Sequence, residues 1–202
     1  MQTLIGKKAI DFNVPAVLAN GDIINDYNLY KNIESKYAFL FFYPMDFTFV
    51  CPSELIAINN RMSEFEKRNI EVIAISIDSH YVHKAWRDTS LESGGLGGNI
   101  KYTMVSDIKH EIIRSYGLED EKTGVSFRGS FIIDNQKCIR IQHINDFPIG
   151  RNIDEYIRLF DALFFHNKYG QVCQAGWNKG NKGIVPTKDG ISDYLSDNHK
   201  KL

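Results

Sequence analysis

Apolar and polar positions fall along the chain in blocks whose period changes between strand and helix. Residues 38–43, Ala-Phe-Leu-Phe-Phe-Tyr, are a continuous apolar run of strand length and predict a buried strand. Residues 71–78 form a second such run, rich in β-branched side chains, and residues 101–105 predict a further strand after a loop. Residues 130–134 and 139–144 flank Asn135-Gln136-Lys137 and predict an antiparallel hairpin. Between these runs, residues 52–68, 80–88 and 153–165 predict helices, the last with apolar residues recurring at helical spacing. Residues 7–29 hold short apolar runs broken by Pro15 and Asn20-Gly21-Asp22, where the Asn-Gly pair predicts a hairpin-type turn. Strands separated by helical patterns indicate βαβ units and an α/β sheet.

Composition narrows the function classes. A length of 202 residues suits one domain with a sizeable core, and 43% hydrophobic content is ordinary for a globular chain. A formal charge of -1 gives no electrostatic case for nucleic acid or an acidic membrane surface. No apolar run is long enough to span a bilayer, and Met1-Gln2-Thr3-Leu4 does not open a signal peptide. An organelle-targeting extension upstream stays open. Three cysteines are odd in number and too few for a disulfide scaffold, which suits a reducing compartment and reactive thiols. Gly94-Gly95-Leu96-Gly97-Gly98 lacks both a P-loop lysine and a GxGxxG arrangement, which argues against nucleotide binding. His80 and His83 lie three apart and His199 sits beside Lys200, with no cysteine at zinc-finger spacing. These histidines are expected to pack or to face solvent, with no metal.

The candidate chemistry centres on Cys51. Pro44 ends the first apolar run, Thr48 precedes Cys51 by three residues, and Pro52 and Glu54 follow it. Proline in a first helical turn and an acid near the N-terminus place Cys51 at the mouth of a helix. Unpaired N–H groups and the helix dipole there favour a thiolate, and the Thr48 hydroxyl can reach the sulfur. The competing reading is an inert packing cysteine. Position 54 is Glu rather than Cys, so no Cys-x-x-Cys pair forms and plain disulfide exchange is disfavoured. Arg128, just before a buried strand, is either an exposed loop-end arginine or a guanidinium beside Cys51. Cys173 reads, unaided, as a tail cysteine without consequence, and Cys138 as small apolar packing.

Residues 41–54, FFYPMDFTFVCPSE, resemble the active-site signature of the typical two-cysteine peroxiredoxins. Its Pro-x-x-x-Thr/Ser-x-x-Cys pattern is met by Pro44, Thr48 and Cys51, and the resemblance runs through almost the whole chain. It implies a thioredoxin-like fold, with a mixed central sheet flanked by helices and extensions at each end. The peroxidase domain would span residues 1–168, and residues 169–202 would form a C-terminal arm. It further implies a thiol peroxidase for hydrogen peroxide and organic hydroperoxides, with no metal or organic cofactor. Cys51 would become a sulfenic acid, the first rung of thiol oxidation. Arg128 and Thr48 would donate to the peroxide, Glu54 would hold Arg128, Pro44 would shield the sulfur, and Trp86 would pack nearby. Val172-Cys173-Gln174-Ala175-Gly176-Trp177 resembles the family's resolving-cysteine motif, with Gln174 in place of proline. That implies an intersubunit Cys51–Cys173 disulfide, thioredoxin as reductant, and a homodimer assembled as a decamer of five dimers.

Two further implications follow from the same resemblance. Gly94 to Gly97 matches a loop that packs against a C-terminal Tyr-Phe helix in over-oxidation-prone relatives, and this tail has Tyr194-Leu195. Slow unfolding of such packing would expose the sulfenic acid to a second peroxide. A redox-gated holdase chaperone is the second reading, separated from the first by whether Cys51→Ser abolishes aggregation suppression. A Cys51 hydrolase lacks a catalytic histidine signature. The expected compartment is the cytoplasm, or mitochondria or another organelle if a targeting extension precedes this sequence.

Overall fold

In the computed structural model, residues 3–201 are described; Met1 and Gln2 of the opening tetrapeptide, and Leu202, lie outside them. The chain forms two units, one up to Arg151 and one from Asn152 onward. The first begins with β1 (Asn13–Val17) and β2 (Ile23–Asn28), an antiparallel hairpin. Its turn is held as the Asn-Gly pair predicts. Asn20 accepts from the Asp22 N–H at 3.1 Å, and Gly21 takes φ 90. There follow α1 (Leu29–Asn32), β3 (Tyr37–Phe42), α2 (Cys51–Asn59), α3 (Met62–Glu66), β4 (Ile70–Ser76) and α4 (His80–Asp88). The unit continues through β5 (Thr103–Ser106), α5 (Glu111–Ser115), β6 (Arg128–Ile133) and β7 (Ile139–Asn145).

Among the described residues, seven strands make one sheet in the order β2-β1-β5-β4-β3-β6-β7. β3, β4 and β5 pair in parallel and the remaining neighbours are antiparallel, so the sheet is mixed and flanked by helices, a thioredoxin-like arrangement. The central strands are covered on both faces, which is why they read as unbroken apolar runs rather than as alternation. The edge strands β2 and β7 are polar and half-exposed. β6 runs antiparallel to β3 with Ser130 opposite Phe41. Two residues back along β6, Arg128 therefore stands beside the point where the chain leaves β3.

The single helix expected over residues 52–68 is two helices. Asparagine competes with the backbone for hydrogen bonds and favours helix ends, and Asn59-Asn60 sits at the break. The Asn59 amide is spent elsewhere: it donates to Asn99 O at 2.7 Å and accepts from the Lys101 N–H at 2.8 Å. The glycine run is the C-terminal cap of α4. Leu96 and Gly97 donate N–H groups to the carbonyls of Trp86 and Thr89, at 3.1 and 2.9 Å. A Cβ at Gly95 would lie 2.1 Å from Thr89 O, so the close approach requires glycine. At the same helix end the buried Arg87 guanidinium donates to the carbonyls of Leu18, Ala19 and Ile100, at 2.7–2.9 Å.

In the second unit, α6 (Ile153–Tyr169) is capped by Asn152 and ends at Gly170 in the left-handed region. Within this unit, α6 holds the segment that follows it. Arg158 donates to Trp177 O at 2.6 Å, Phe165 packs on Trp177 at 5.0 Å between ring centroids, and Val172 bridges to Ile184. The last helix is α7 (Lys188–Asn198), capped by Thr187. Among the described residues no helix is long and apolar enough to cross a membrane.

Candidate active site

The chain leaves β3 through buried Tyr43 and Pro44, crosses a loop, and enters α2 at Cys51, which is fully buried. Pro52 lies in the first turn, and the Ser53 and Glu54 N–H groups bond back to Val50 O. The sulfur therefore sits at the positive end of a nine-residue helix. Arg128 donates from Nη1 to Cys51 Sγ at 3.3 Å and to Glu54 Oε2 at 2.8 Å, while its Nε donates to Phe147 O at 2.7 Å. Three bonds in three directions fix the guanidinium against the sulfur.

A second arginine completes this cluster. Arg151 donates from Nε and its backbone N–H to Glu54 Oε1 at 2.9 and 2.8 Å, and from Nη2 to Glu54 Oε2 at 3.0 Å. Its Nη1 donates to Gly129 O and Ser130 Oγ, and its Cζ lies 3.3 Å from the centroid of the Phe41 ring. Glu54, Arg128 and Arg151 are all buried. One carboxylate facing two guanidinium groups leaves one surplus positive charge, and a thiolate at Cys51 would cancel it.

The loop is anchored at Asp46. Its N–H donates to Asp78 Oδ2 at 2.8 Å, and its carboxylate meets Tyr43 Oη at 2.6 Å and His83 Nδ1 at 2.7 Å. Burial pushes the Asp46 carboxyl above its usual range, with His83 opposing. Burial and then the Asp46 charge push Tyr43 well above the usual phenol range, so Tyr43 is the donor. The next residue, Phe47, takes φ 52, a left-handed conformation that a non-glycine residue adopts at a cost of about 1–2 kcal/mol. Trp86 packs on Tyr43 and Phe47 at 6.2 and 5.8 Å between centroids. Thr48, half-buried, gives its hydroxyl proton to Met45 O at 2.9 Å and turns a lone pair, not a donor, outward.

The structure brings Cys51, Glu54 and Arg128 together and sets Trp86 against Tyr43 and Phe47 of the loop that carries Pro44 and Thr48 toward Cys51, and it adds Arg151, Asp46 and His83, which sequence reasoning missed. No spacing signal pointed to Arg151, which lies in a loop 97 positions from Glu54. Cys173 belongs to the second unit, half-buried, its Sγ donating to Ala162 O at 3.5 Å. Burial pushes its thiol up, with Arg158 opposing. Cys138, half-buried, donates its N–H to Asp134 Oδ1 in the hairpin turn. Among the described residues no group of three or more His, Cys, Asp or Glu side chains is placed to hold a metal ion.

A thioredoxin-like sheet with a cysteine at a helix mouth, held by a buried arginine, defines the class of thiol-dependent oxidoreductases. Comparison with known proteins resolves the class further. The AhpC/TSA family matches residues 5–142. Alkyl hydroperoxide reductase C of Buchnera aphidicola subsp. Schizaphis graminum is 51% identical over 193 residues, 96% of this chain and 97% of that protein. Peroxiredoxin-1 of Gekko japonicus is 46% identical over 196 residues, 95% of each chain. The reduced 2-Cys peroxiredoxin of Plasmodium vivax superposes with a TM-score of 0.92 at 42% identity, covering 96% of this chain and all of that one. The chain belongs to the AhpC/TSA family, in its typical 2-Cys peroxiredoxin branch, and is a peroxidase that reduces hydroperoxides.

Proposed function

We propose that Cys51 is the peroxide-reducing nucleophile and that Cys173 of the partner subunit resolves it. The observation that carries the first part is Arg128 Nη1 at 3.3 Å from Sγ, within a buried cluster one positive charge in excess. The thiolate attacks one peroxide oxygen, the S–O bond forms as the O–O bond breaks, and the second oxygen leaves as alkoxide or hydroxide and takes up a proton. Arg128 faces the negative charge that develops along the breaking bond, Thr48 Oγ1 accepts from the peroxide O–H, and Pro44 shields the sulfur. Glu54 holds Arg128 in place.

The Cys51 sulfenic acid then condenses with the resolving thiol, releasing water and forming an intersubunit disulfide that thioredoxin reduces. In its packed position Cys173 is a protonated thiol that donates to Ala162 O, so it must leave that contact and ionise before attacking. A homodimer supplies the second subunit, and five dimers make the assembled ring. Three free cysteines favour a reducing compartment, the cytoplasm or an organelle that maintains one. On a non-reducing gel, wild type treated with one equivalent of hydrogen peroxide is expected to run as a disulfide-linked dimer that thioredoxin dissolves. Cys51→Ser and Cys173→Ser should both remain monomers. Because burial raises the Cys173 thiol, disulfide formation should quicken as pH rises above neutrality, measured by stopped-flow fluorescence. A dimer persisting in Cys173→Ser would assign resolution to another thiol.

A further inference from the structure

We propose that Arg87 is a positioning residue of the peroxidase reaction. It ties the glycine loop and the approach to β5 together, and through them sets Trp86 and α2 around Cys51. Its guanidinium is buried, and all of its hydrogen bonds go to backbone carbonyls. Nη1 donates to Leu18 O at 2.7 Å, with Val17 O and Tyr102 O at 3.4 and 3.5 Å. Nη2 donates to Ala19 O and Ile100 O at 2.9 and 2.8 Å. The Arg87 carbonyl in turn accepts from the Gly98 N–H at 2.6 Å. One residue thus gathers the end of β1, the close of the glycine loop and the chain entering β5. A planar fork of N–H donors meets carbonyls on several sides at once, which a point-like ammonium does not.

Two paths lead from this anchor to Cys51. The first runs through Trp86, whose Nε1 donates to Gly94 O at 2.9 Å and whose carbonyl accepts from the Leu96 N–H. The indole is therefore held by the glycine loop that Arg87 closes at Gly98. It packs in turn on Tyr43 and on Phe47, the left-handed residue between Pro44 and Thr48. The second path runs through residues 99–102. Tyr102 Oη donates to Leu55 O at 2.9 Å, and the Asn59 amide binds Asn99 O and the Lys101 N–H. This stretch straps α2, the helix that opens at Cys51, and Arg87 fixes it at Ile100 and Tyr102. Without the guanidinium both paths lose their common anchor, while Arg128 and Glu54 keep their own bonds. The inference rests on the reading of Cys51 as the peroxide-reducing thiol.

The test compares two reactions of Cys51 in the full-length protein: oxidation by hydrogen peroxide, and alkylation by iodoacetamide, which needs the thiolate but not the peroxide-shaped loop. Arg87→Ala is expected to slow oxidation by about tenfold or more while alkylation changes much less. Where Arg87→Ala does not fold, Arg87→Lys serves, with the same split at smaller size. In Trp177→Phe protein Trp86 is the one tryptophan left, and its emission should shift when Arg87 is replaced. In wild type labelled with nitrogen-15 in arginine, NMR should show the Arg87 Nη–H protons as separate signals, because both Nη groups are held. Parallel loss of both reactions, unchanged oxidation in a folded Arg87→Ala, unmoved Trp86 emission, or Nη–H signals averaged by rotation would each overturn the proposal. The NMR result stands even where both variants fail to fold. Failure of the Cys51 assignment would show differently, as wild-type Cys51 that alkylates but resists peroxide.

Discussion

Replacing Arg128 with methionine should slow oxidation of Cys51 by hydrogen peroxide by about 100- to 1,000-fold, the range for removing one preorganised donor from developing charge. The structure gives this side chain three tasks: its Nη1 reaches Sγ and Glu54, and its Nε reaches Phe147 O. Arg128→Lys should recover only part of the rate, because one ammonium on a flexible stem cannot satisfy those directions together. Arg151 still holds Glu54 in both variants, so the fold should persist. Stopped-flow oxidation at matched pH, with circular dichroism as the check on folding, decides it. A loss below about threefold in Arg128→Met would remove Arg128 from the chemistry.

Glu54→Gln should be the most damaging single change to stability in the site, costing about 3–5 kcal/mol. The carboxylate accepts from Arg128 and from three N–H donors of Arg151, all away from water. Its removal leaves two buried guanidinium groups facing each other, and the cluster's surplus rises from one positive charge to two. Urea unfolding at matched protein concentration measures the loss as a lower midpoint, with an unchanged slope if only stability has moved. Arg151→Leu, which leaves Glu54 and Arg128 as a neutral pair, should cost less than Glu54→Gln. The reverse order would mean that Arg151 serves mainly by packing on Phe41.

What the sequence disclosed about this molecule was its local physics. The run of residues 38–43 reads as a buried strand because β3 is covered on both faces, and residues 80–88 read as a helix because Ser79 caps α4 and its buried residues recur at helical spacing. Cys51 between Thr48 and Pro52 was legible as a helix-mouth thiol for the same local reason. What stayed hidden depends on tertiary register. Read from the residues alone, Arg128 was an even choice between solvent and site; the resemblance favoured the site, and the pairing of β6 with β3 sets it beside the end of β3. Arg151 precedes a helix cap in a loop, and nothing near it signals a carboxylate 97 residues away. The contact of Asp46 with His83 spans 37 positions, so nothing local to either residue signals it, and His83 reads as an ordinary packing or solvent-facing histidine. Asn59 broke a helix that periodicity carried through, since its amide binds the approach to β5 rather than solvent. α7 contains Gly190 and buries no residue within this chain, so it offers periodicity little to detect.

The most direct test of the account is the intact mass of Cys173→Ser after one equivalent of hydrogen peroxide, with peptide mapping to place the change. The account predicts one added oxygen on Cys51, convertible to a dimedone adduct, with Cys138 unmodified. A folded protein whose Cys51 stays a thiol while peroxide is consumed, or whose oxygen maps to Cys138, would contradict it.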